Sequence, residues 1–443
     1  MFTLSSVTAG ITARISPGVR GLGKLMSGTI VGQVLVLASM PLLSRLYTPD
    51  SFGVFTAVVA VAVMVGPLAT GRYELAIAIP AKDSDAVSVA FVSLIMAVAT
   101  GVMGTLVILA SGELITTHLG HHDLYPWILY VPLISSVAAA FTVLHYLALR
   151  RQRYGAIARR SVIRSLVLVT YQCGAGLVSP TPAGLLLGQA AGEFAGVVSL
   201  LSRSSIRAAW RRNKVRPLRA HLGRLWLSAK VYLRFPLLLA PSGLLNVAGV
   251  HLPVVLVSGL YGPAVAGWLG MAQRSVSVPV ALVAASVAQV FLARFARAVR
   301  EEDPGARTLF IRTFRRLSAA AVLTTVTILV AAPTLLHGLL GSEWSMSGDY
   351  ARPLAIAVGC QILAVPLTQA LIVLQKTRTQ VGWDFARVVV VVASLYLSRK
   401  LDAPPLTALW VYSVCAAAMH LIALALSYRA VAQHFGRDVR NAS

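Results

Sequence analysis

The sequence predicts an all-α, polytopic membrane protein with about twelve transmembrane helices in two six-helix lobes. Three observations lead there: twelve long apolar runs, a composition short of charge, and basic residues that alternate from side to side of the runs. The chain is 57% hydrophobic and 12% charged, whereas a soluble domain carries about 25% charged residues. A hydrocarbon core of ~30 Å takes about 20 helical residues to cross, and each run is of that order. The runs are far too long for barrel strands, so the backbone must satisfy itself within helices.

In the first half the runs are 27–46, 53–71, 86–110, 126–149, 161–179 and 183–202. In the second half they are 236–258, 269–293, 317–340, 353–374, 381–398 and 405–427. The stretch ahead of the first run, Met1 to Lys24, is polar and mildly basic. The run itself is long enough to span, so no cleavable signal is expected. Most of the 39 Lys and Arg fall in the even-numbered gaps and the two tails. The odd-numbered side keeps Arg45, Arg352, Arg399 and Lys400, and Arg274 stands inside a span. The positive-inside rule turns this bias into a topology with both termini in the cytoplasm. The net charge of +24 therefore belongs to short loops beside lipid headgroups, not to a nucleic-acid surface.

The longest basic gap, 203–235, holds ten Lys or Arg and no acid. It separates an N-terminal lobe, 1–202, from a C-terminal lobe, 236–443, which ends in a short cytoplasmic tail. Its Leu, Trp and Tyr among cations suit a helix lying on the inner membrane surface; a solvated linker is the plainer alternative. The halves share a repeat. Leu46-Tyr47-Thr48-Pro49 continues to Gly53, and Leu260-Tyr261-Gly262-Pro263 continues to Gly267, 214 residues on. Both follow the first span of their half on the same side, which implies two parallel repeats with a site at their interface. The outer gap 111–125 carries Glu113, His118, His121, His122 and Asp123. The cluster has the residue types for a metal, but no helical spacing fixes the ligands, and a polar loop tip is expected. Cys173, Cys360 and Cys415 lie in spans without metal spacing and read as small apolar residues.

No phosphate loop, zinc-protease helix or serine elbow is present. There is also no soluble segment to hold an active site, so no enzyme is expected. What remains is a sparse set of polar groups inside apolar spans, where charge costs at least ~2.5 kcal/mol and usually faces a cavity. Glu193 sits at mid-depth in the sixth span, with Gln189 four residues before it on the same face. As a lone carboxylate it reads equally as a proton or cation relay and as a neutral group hydrogen-bonded between helices. Arg274 near the outer end of the eighth span either snorkels to the surface or faces the cavity and binds an anion. The second reading is preferred, because the outer loops have otherwise shed cations. Asp384 and Arg387, three apart in the eleventh span, read as a structural pair. Gln33, Asn246 and Gln289 are amides in spans, suited to sugar hydroxyls or to helix contacts. Pro236, Pro241 and Asn246 suggest a kinked seventh helix, useful as a hinge. Arg72 and Glu74 flank a Tyr at the inner end of the second span, before an apolar stretch unusual for a loop.

SRLYTPDSFGVF at 44–55, TGRYELAIAIP at 70–80, LRRQRYGAIARRSVIRSL at 149–166 and the segment 259–291, with the twelve-span layout, resemble one family. That family is the oligosaccharide flippases, or Wzx-type polysaccharide biosynthesis proteins, of the multidrug/oligosaccharidyl-lipid/polysaccharide exporter superfamily. The resemblance implies a MATE-like fold around a central cavity in a bacterial plasma (inner) membrane. It implies translocation of undecaprenyl-diphosphate-linked oligosaccharide for O-antigen, capsule or exopolysaccharide synthesis. It carries Arg72 and Glu74 over through R-Y-E, and Arg274 through A-Q-R. A polymerase and a chain-length regulator are the implied pathway partners. No cofactor or metal is implied; proton or sodium coupling through Glu193 is the energetic route considered. The alternatives are a cation-coupled multidrug exporter of the same fold, a lipid II flippase, whose branch usually has fourteen spans, a membrane enzyme of the pathway, or a non-flippase assembly component.

Overall fold

The computed structural model describes residues 17–118, 124–201, 218–303 and 305–441, and every regular element among them is helical. Twelve helical stretches are long and apolar enough to cross a membrane, from Ser27–Leu46 to Pro405–Phe435. Each coincides with one of the twelve apolar runs.

The first crossing is α1 (Pro17–Ala38) followed by α2 (Met40–Leu46), with a break at Ser39, whose hydroxyl donates to the Val36 carbonyl at 2.7 Å. The second is α3 (Pro49–Thr70). Thr48 caps it by accepting from the Ser51 N–H at 3.3 Å, and Gly71 ends it with φ 57°. A short α4 (Tyr73–Ala76) follows. Then come α5 (Asp83–His118), α6 (Tyr125–Ile128) with α7 (Tyr130–Arg150), α8 (Tyr154–Val178) and α9 (Pro182–Leu201). After α10 (Leu218–Val231), a π turn over Phe235–Leu239, which contains Pro236, leads into α11 (Ala240–Tyr261). The second half continues with α12 (Pro263–Arg300), α13 (Gly305–Leu340), α14 (Ser345–Leu367) with α15 (Gln369–Val373), α16 (Thr377–Lys400) and α17 (Pro405–Asn441).

The first-half helices pack as one group, α8 against α1 and α9, and α7 against α3, α5 and α9. The second-half helices pack likewise, α14 against α12, α13 and α17, and α16 against α11 and α17. The lobes join along α3, which lies on α11 and α12. The repeated tetrapeptides explain where that joint is tightest. A Cβ on Gly53 would fall on the Pro263 carbonyl, and a Cβ on Gly267 would fall on the Pro49 carbonyl. The contact is reciprocal, as a pseudo-twofold between two parallel repeats requires, and only glycine permits so close an approach. Around it, the Trp344 indole donates to the Ser44 carbonyl at 2.8 Å, and its ring meets Phe52 edge-on at 5.5 Å. Tyr47 donates to the Gln172 carbonyl at 2.8 Å. Large, fully buried side chains thus concentrate at this end of the bundle.

The other end carries the basic segments. There Arg150 donates to the carbonyls of Ile77, Ala78 and Pro80 and pairs with Asp83 at 3.3 Å, which fixes the chain beneath α3. Of the expected linker, residues 203–217 lie outside the described residues, and Leu218–Val231 is a helix. It packs on α5 and leaves Trp226 and Leu227 exposed. His121, His122 and Asp123 of the suspected cluster also lie outside the described residues. Among the described residues no group of His, Cys, Asp or Glu is arranged to hold a metal.

Candidate functional site

Away from the glycine crossing the lobes part around two chambers, which share Thr29, Gln33, Val63 and Arg164 in their walls. One, of about 600 Å³, lies between the lobes. Val34, Leu37 and Val59 of the first lobe face Val278, Pro279 and Val283 of the second. Met40 and Arg274 stand at its roof, below the tight contact, where the Ser275 hydroxyl reaches the Met40 sulfur at 3.6 Å. The other chamber, of about 520 Å³, extends within the first lobe toward the basic end, where Arg72 and Glu74 border it.

Arg274 belongs to the cavity, so the snorkelling reading is set aside. Its guanidinium lies 5.1 Å from the Phe52 ring centre and 4.8 Å from that of Phe55. No hydrogen bond or ion pair joins it to another described residue. Two aromatic faces hold a charge that would otherwise be poorly solvated, and the side chain lines the chamber. Gln33 and Gln289 also line the chambers, as the sequence suggested.

Arg72 owes its place to two successive left-handed residues, Gly71 at φ 57° and Arg72 itself at φ 56°. They turn the chain under α3 and bury Tyr73, Glu74 and Ile77. Arg72 reaches Glu74 at 3.6 Å and lies on Gly243 of α11, where any Cβ would strike the guanidinium. Holding a non-glycine residue there costs of order 1–2 kcal/mol, so the surrounding contacts enforce it. The apolar stretch noted after Tyr73 is this buried turn.

Glu193 is not the lone carboxylate the sequence suggested. Arg164 of α8 donates to its Oε1 from Nη2 at 2.7 Å and from Nε at 2.9 Å, and Gln189 adds a third bond at 3.3 Å. A guanidinium that supplies two donors to one oxygen holds the carboxylate as an ion pair. The acid thus has an arginine partner on the neighbouring helix, and the two line the cavity together. Asn246 also departs from expectation. Its amide donates to Asp384 at 3.0 Å, and its carbonyl accepts from Arg387 at 2.8 Å. It clamps the Asp384–Arg387 pair and lines neither chamber, because the acceptor on α16 takes its amide.

The sequence reading passed over Arg164 and Arg160. Arg160 closes the basic gap before the fifth run and Arg164 falls inside that run, and both stand on the crossing helix α8. Their i, i+4 spacing, with a serine directly after each (Ser161 and Ser165), marks one polar face continuing into an apolar run. That face was the available signal. Arg160 is 5% exposed and stacks on Phe141 at 3.6 Å.

Among solved structures the fold is similar to an inward-facing multidrug resistance MATE transporter of the MOP superfamily, with a TM-score of 0.66 at 16% identity over 91% of this chain and 95% of that one. It is also similar to the lipid II flippase MurJ in an inward closed conformation, TM-score 0.61 at 13% identity, covering 91% and 86%. A MOP superfamily transporter from Pyrococcus furiosus, described as having a binding pocket of reverse polarity, gives 0.60 at 17% identity over 94% and 95%. No curated protein matches the chain. A family model described as polysaccharide biosynthesis protein matches residues 42–348. With well over half of its length accounted for in that way, this multi-pass membrane protein of MATE-like fold belongs to the polysaccharide biosynthesis protein family.

Proposed function

We propose that the protein is a flippase that carries undecaprenyl-diphosphate-linked oligosaccharide across the bacterial plasma membrane by alternating access. The observation that carries this reading is a cavity between two lobes, sealed at one end and lined by the cations Arg274 and Arg164 in largely apolar walls. Guanidinium forks match diphosphate oxygens, and apolar walls suit a substrate that keeps its lipid tail in the bilayer. With the basic end and both termini in the cytoplasm, the cavity opens inward. Rocking about the Gly53–Gly267 crossing then exposes it outward. The polymer made from the repeat units would be O-antigen, capsule or exopolysaccharide, and a polymerase and chain-length regulator are the expected partners. No cofactor is needed; a proton or sodium gradient would drive the cycle, with Glu193 as its candidate sensor.

A multidrug exporter of the same fold is the weaker reading. Cationic drugs favour open acids, but both cavity carboxylates, Glu74 and Glu193, already pair with arginines. The experiment that decides is export of surface polymer by cells carrying Arg274→Ala. The expected result is lost export, intact insertion, and lipid-linked repeat units accumulating on the cytoplasmic leaflet. Full export by this variant would contradict the diphosphate role.

A further inference from the structure

A helix outside the twelve spans has no reason to show large apolar side chains to water, yet α10 does. Its inward side is well covered. Leu225 and Ala229, with Tyr232 just past the helix end, pack against a core that includes Tyr73, Ile77 and Val87. Its other side leaves Leu222 56%, Trp226 65%, Leu227 62% and Val231 60% exposed. Leu227 and Val231 are one turn apart and form an outward stripe, and Arg224 and Lys230 fall on either side of it around the helix. An apolar face of this kind, rimmed by polar groups, marks a docking surface.

Position, continuity and charge decide what docks there. The Tyr73 hydroxyl donates to the Ala229 carbonyl at 3.0 Å. Tyr73 belongs to the turn that follows the second span, so α10 is held at the level where the spans leave the membrane. The chain then runs from α10 into Leu237 and Leu238, which are exposed within the seventh span. The charge is of one sign. Arg224, Lys230 and Arg234 are exposed, no ion pair joins them to a carboxylate among the described residues, and the whole stretch 203–235 contains no acid. The Lys230 ammonium lies 5.1 Å from the Trp226 ring centre. An indole beside a cation that can reach out to phosphate is the pairing suited to a membrane–water boundary. An acidic protein could answer the charge, but it would have to occupy the level of the headgroups.

We infer that α10 is an interfacial helix that lays Trp226, Leu227 and Val231 into the leaflet at the basic end of the bundle and holds anionic lipid headgroups through Arg224, Lys230 and Arg234. The Tyr73 bond carries this docking to the cavity. It ties α10 to the Arg72–Glu74 turn, which borders the first-lobe chamber and lies on Gly243 of the second lobe. A leaflet rich in anionic lipid therefore steadies the turn at the chamber's basic end, and a neutral leaflet leaves α10 and the turn freer to move. The inference is independent of what the cavity carries.

The test uses the full-length protein with Cys173, Cys360 and Cys415 replaced by Ala and an environment-sensitive fluorophore attached through Gly223→Cys. Gly223 lies on the outward side, and a Cβ there meets nothing within 4 Å. The protein is placed in nanodiscs of phosphatidylcholine alone or of phosphatidylcholine with phosphatidylglycerol, and quenching by lipid that carries a nitroxide near its headgroup is measured. Quenching should be stronger in the anionic discs. Arg224→Gln and Lys230→Gln should each lower the docked-to-undocked ratio there roughly fivefold. Amide hydrogen exchange over residues 71–79 should slow in the anionic discs. Tyr73→Phe should erase that difference and leave the quenching at α10 unchanged, which a misfolded protein would not do. Equal quenching in the two kinds of disc would overturn headgroup recognition. A fluorophore that stays in water in both would overturn the docking and assign the face to a protein partner. Exchange over 71–79 that ignores the lipid would overturn the link to the cavity.

Discussion

Each lobe holds an arginine–carboxylate pair within its spans, and the two pairs differ in what surrounds them. In the second lobe, Asp384 and Arg387 sit three apart on α16, 3.4 Å from each other. Asn246 bonds both, Trp383 stacks on the guanidinium at 4.7 Å, and Gly249 leaves room for it against α11. That pair is enclosed by protein. In the first lobe, Arg164 and Glu193 come from different helices and meet at 2.7 Å, but Arg164 borders both chambers and the second oxygen of Glu193 has no partner. The difference teaches that charge within a span is not in itself a functional signal. What separates a brace from a working group is whether it borders the cavity: Nε of Arg387 lacks a partner too, but Asp384 and Arg387 line neither chamber, whereas Arg164 and Glu193 do.

The largest effect should come from breaking the enclosed pair. Arg387→Ala leaves Asp384 charged and unmatched in a dry site, which costs roughly 3–5 kcal/mol. Thermal unfolding of the purified protein should show a steep loss of stability. Asp384→Leu combined with Arg387→Met should restore most of it, since well-packed apolar groups replace such pairs at little cost. Arg164→Ala should be far milder for stability, because cavity water can solvate the Glu193 carboxylate. Equal destabilisation by Arg387→Ala and Arg164→Ala would abolish the distinction between the pairs.

Much of this was legible in the sequence, and the part that was not has one physical cause. Span count follows from length and apolarity, which act locally, so all twelve crossings could be read. The Leu-Tyr-x-Pro-x-x-x-Gly repeat was legible as a sign of two related halves, but that its glycines meet each other across the lobes was not. Arg274 and the Arg72-Tyr73-Glu74 turn were visible as residues out of keeping with their surroundings. Partnership was not visible. Glu193 looked isolated because Arg164 lies 29 residues away, on the neighbouring helix. Asn246 looked like a cavity amide because its acceptor, Asp384, lies 138 residues away. Side chains that meet only after helices pack leave no spacing in the chain.

A sharper test of the open pair uses Glu193→Gln, which keeps size and most hydrogen-bonding capacity but removes the charge. Loss of one charge-assisted bond is worth about 1.5–3 kcal/mol, or roughly tenfold and upward in a rate or affinity that depends on it. If Glu193 senses the driving ion, flipping in reconstituted vesicles should stop responding to an imposed proton or sodium gradient while the protein stays folded. Gradient-dependent flipping that persists in Glu193→Gln would reduce the pair to packing, like its counterpart in the second lobe. The enclosed pair provides the contrast, since Asp384→Asn should act on stability and leave the gradient response of the surviving protein unchanged.

The smallest effect is expected where charge is kept and only its shape changes. Arg274 has neither a carboxylate nor a hydrogen-bond partner among the described residues, so it belongs with the open groups of the first lobe, although it comes from the second. Phe52 and Phe55 fix it from the first lobe, and that contact crosses the closed end of the cavity. Lysine at this position keeps the charge and can still rest on the rings, but it loses the planar fork that grips two phosphate oxygens together. Arg274→Lys should therefore weaken diphosphate binding only severalfold, about 1 kcal/mol, and leave polymer export partial. The stability of the closed state should hardly move, because the cation–aromatic contact survives. If Arg274→Ala instead abolished export with diphosphate affinity unchanged, and Arg274→Lys restored export in full, the residue's task would be to hold the lobes together through Phe52 and Phe55. Arg274 would then count as a brace, and the open groups would be confined to the first lobe.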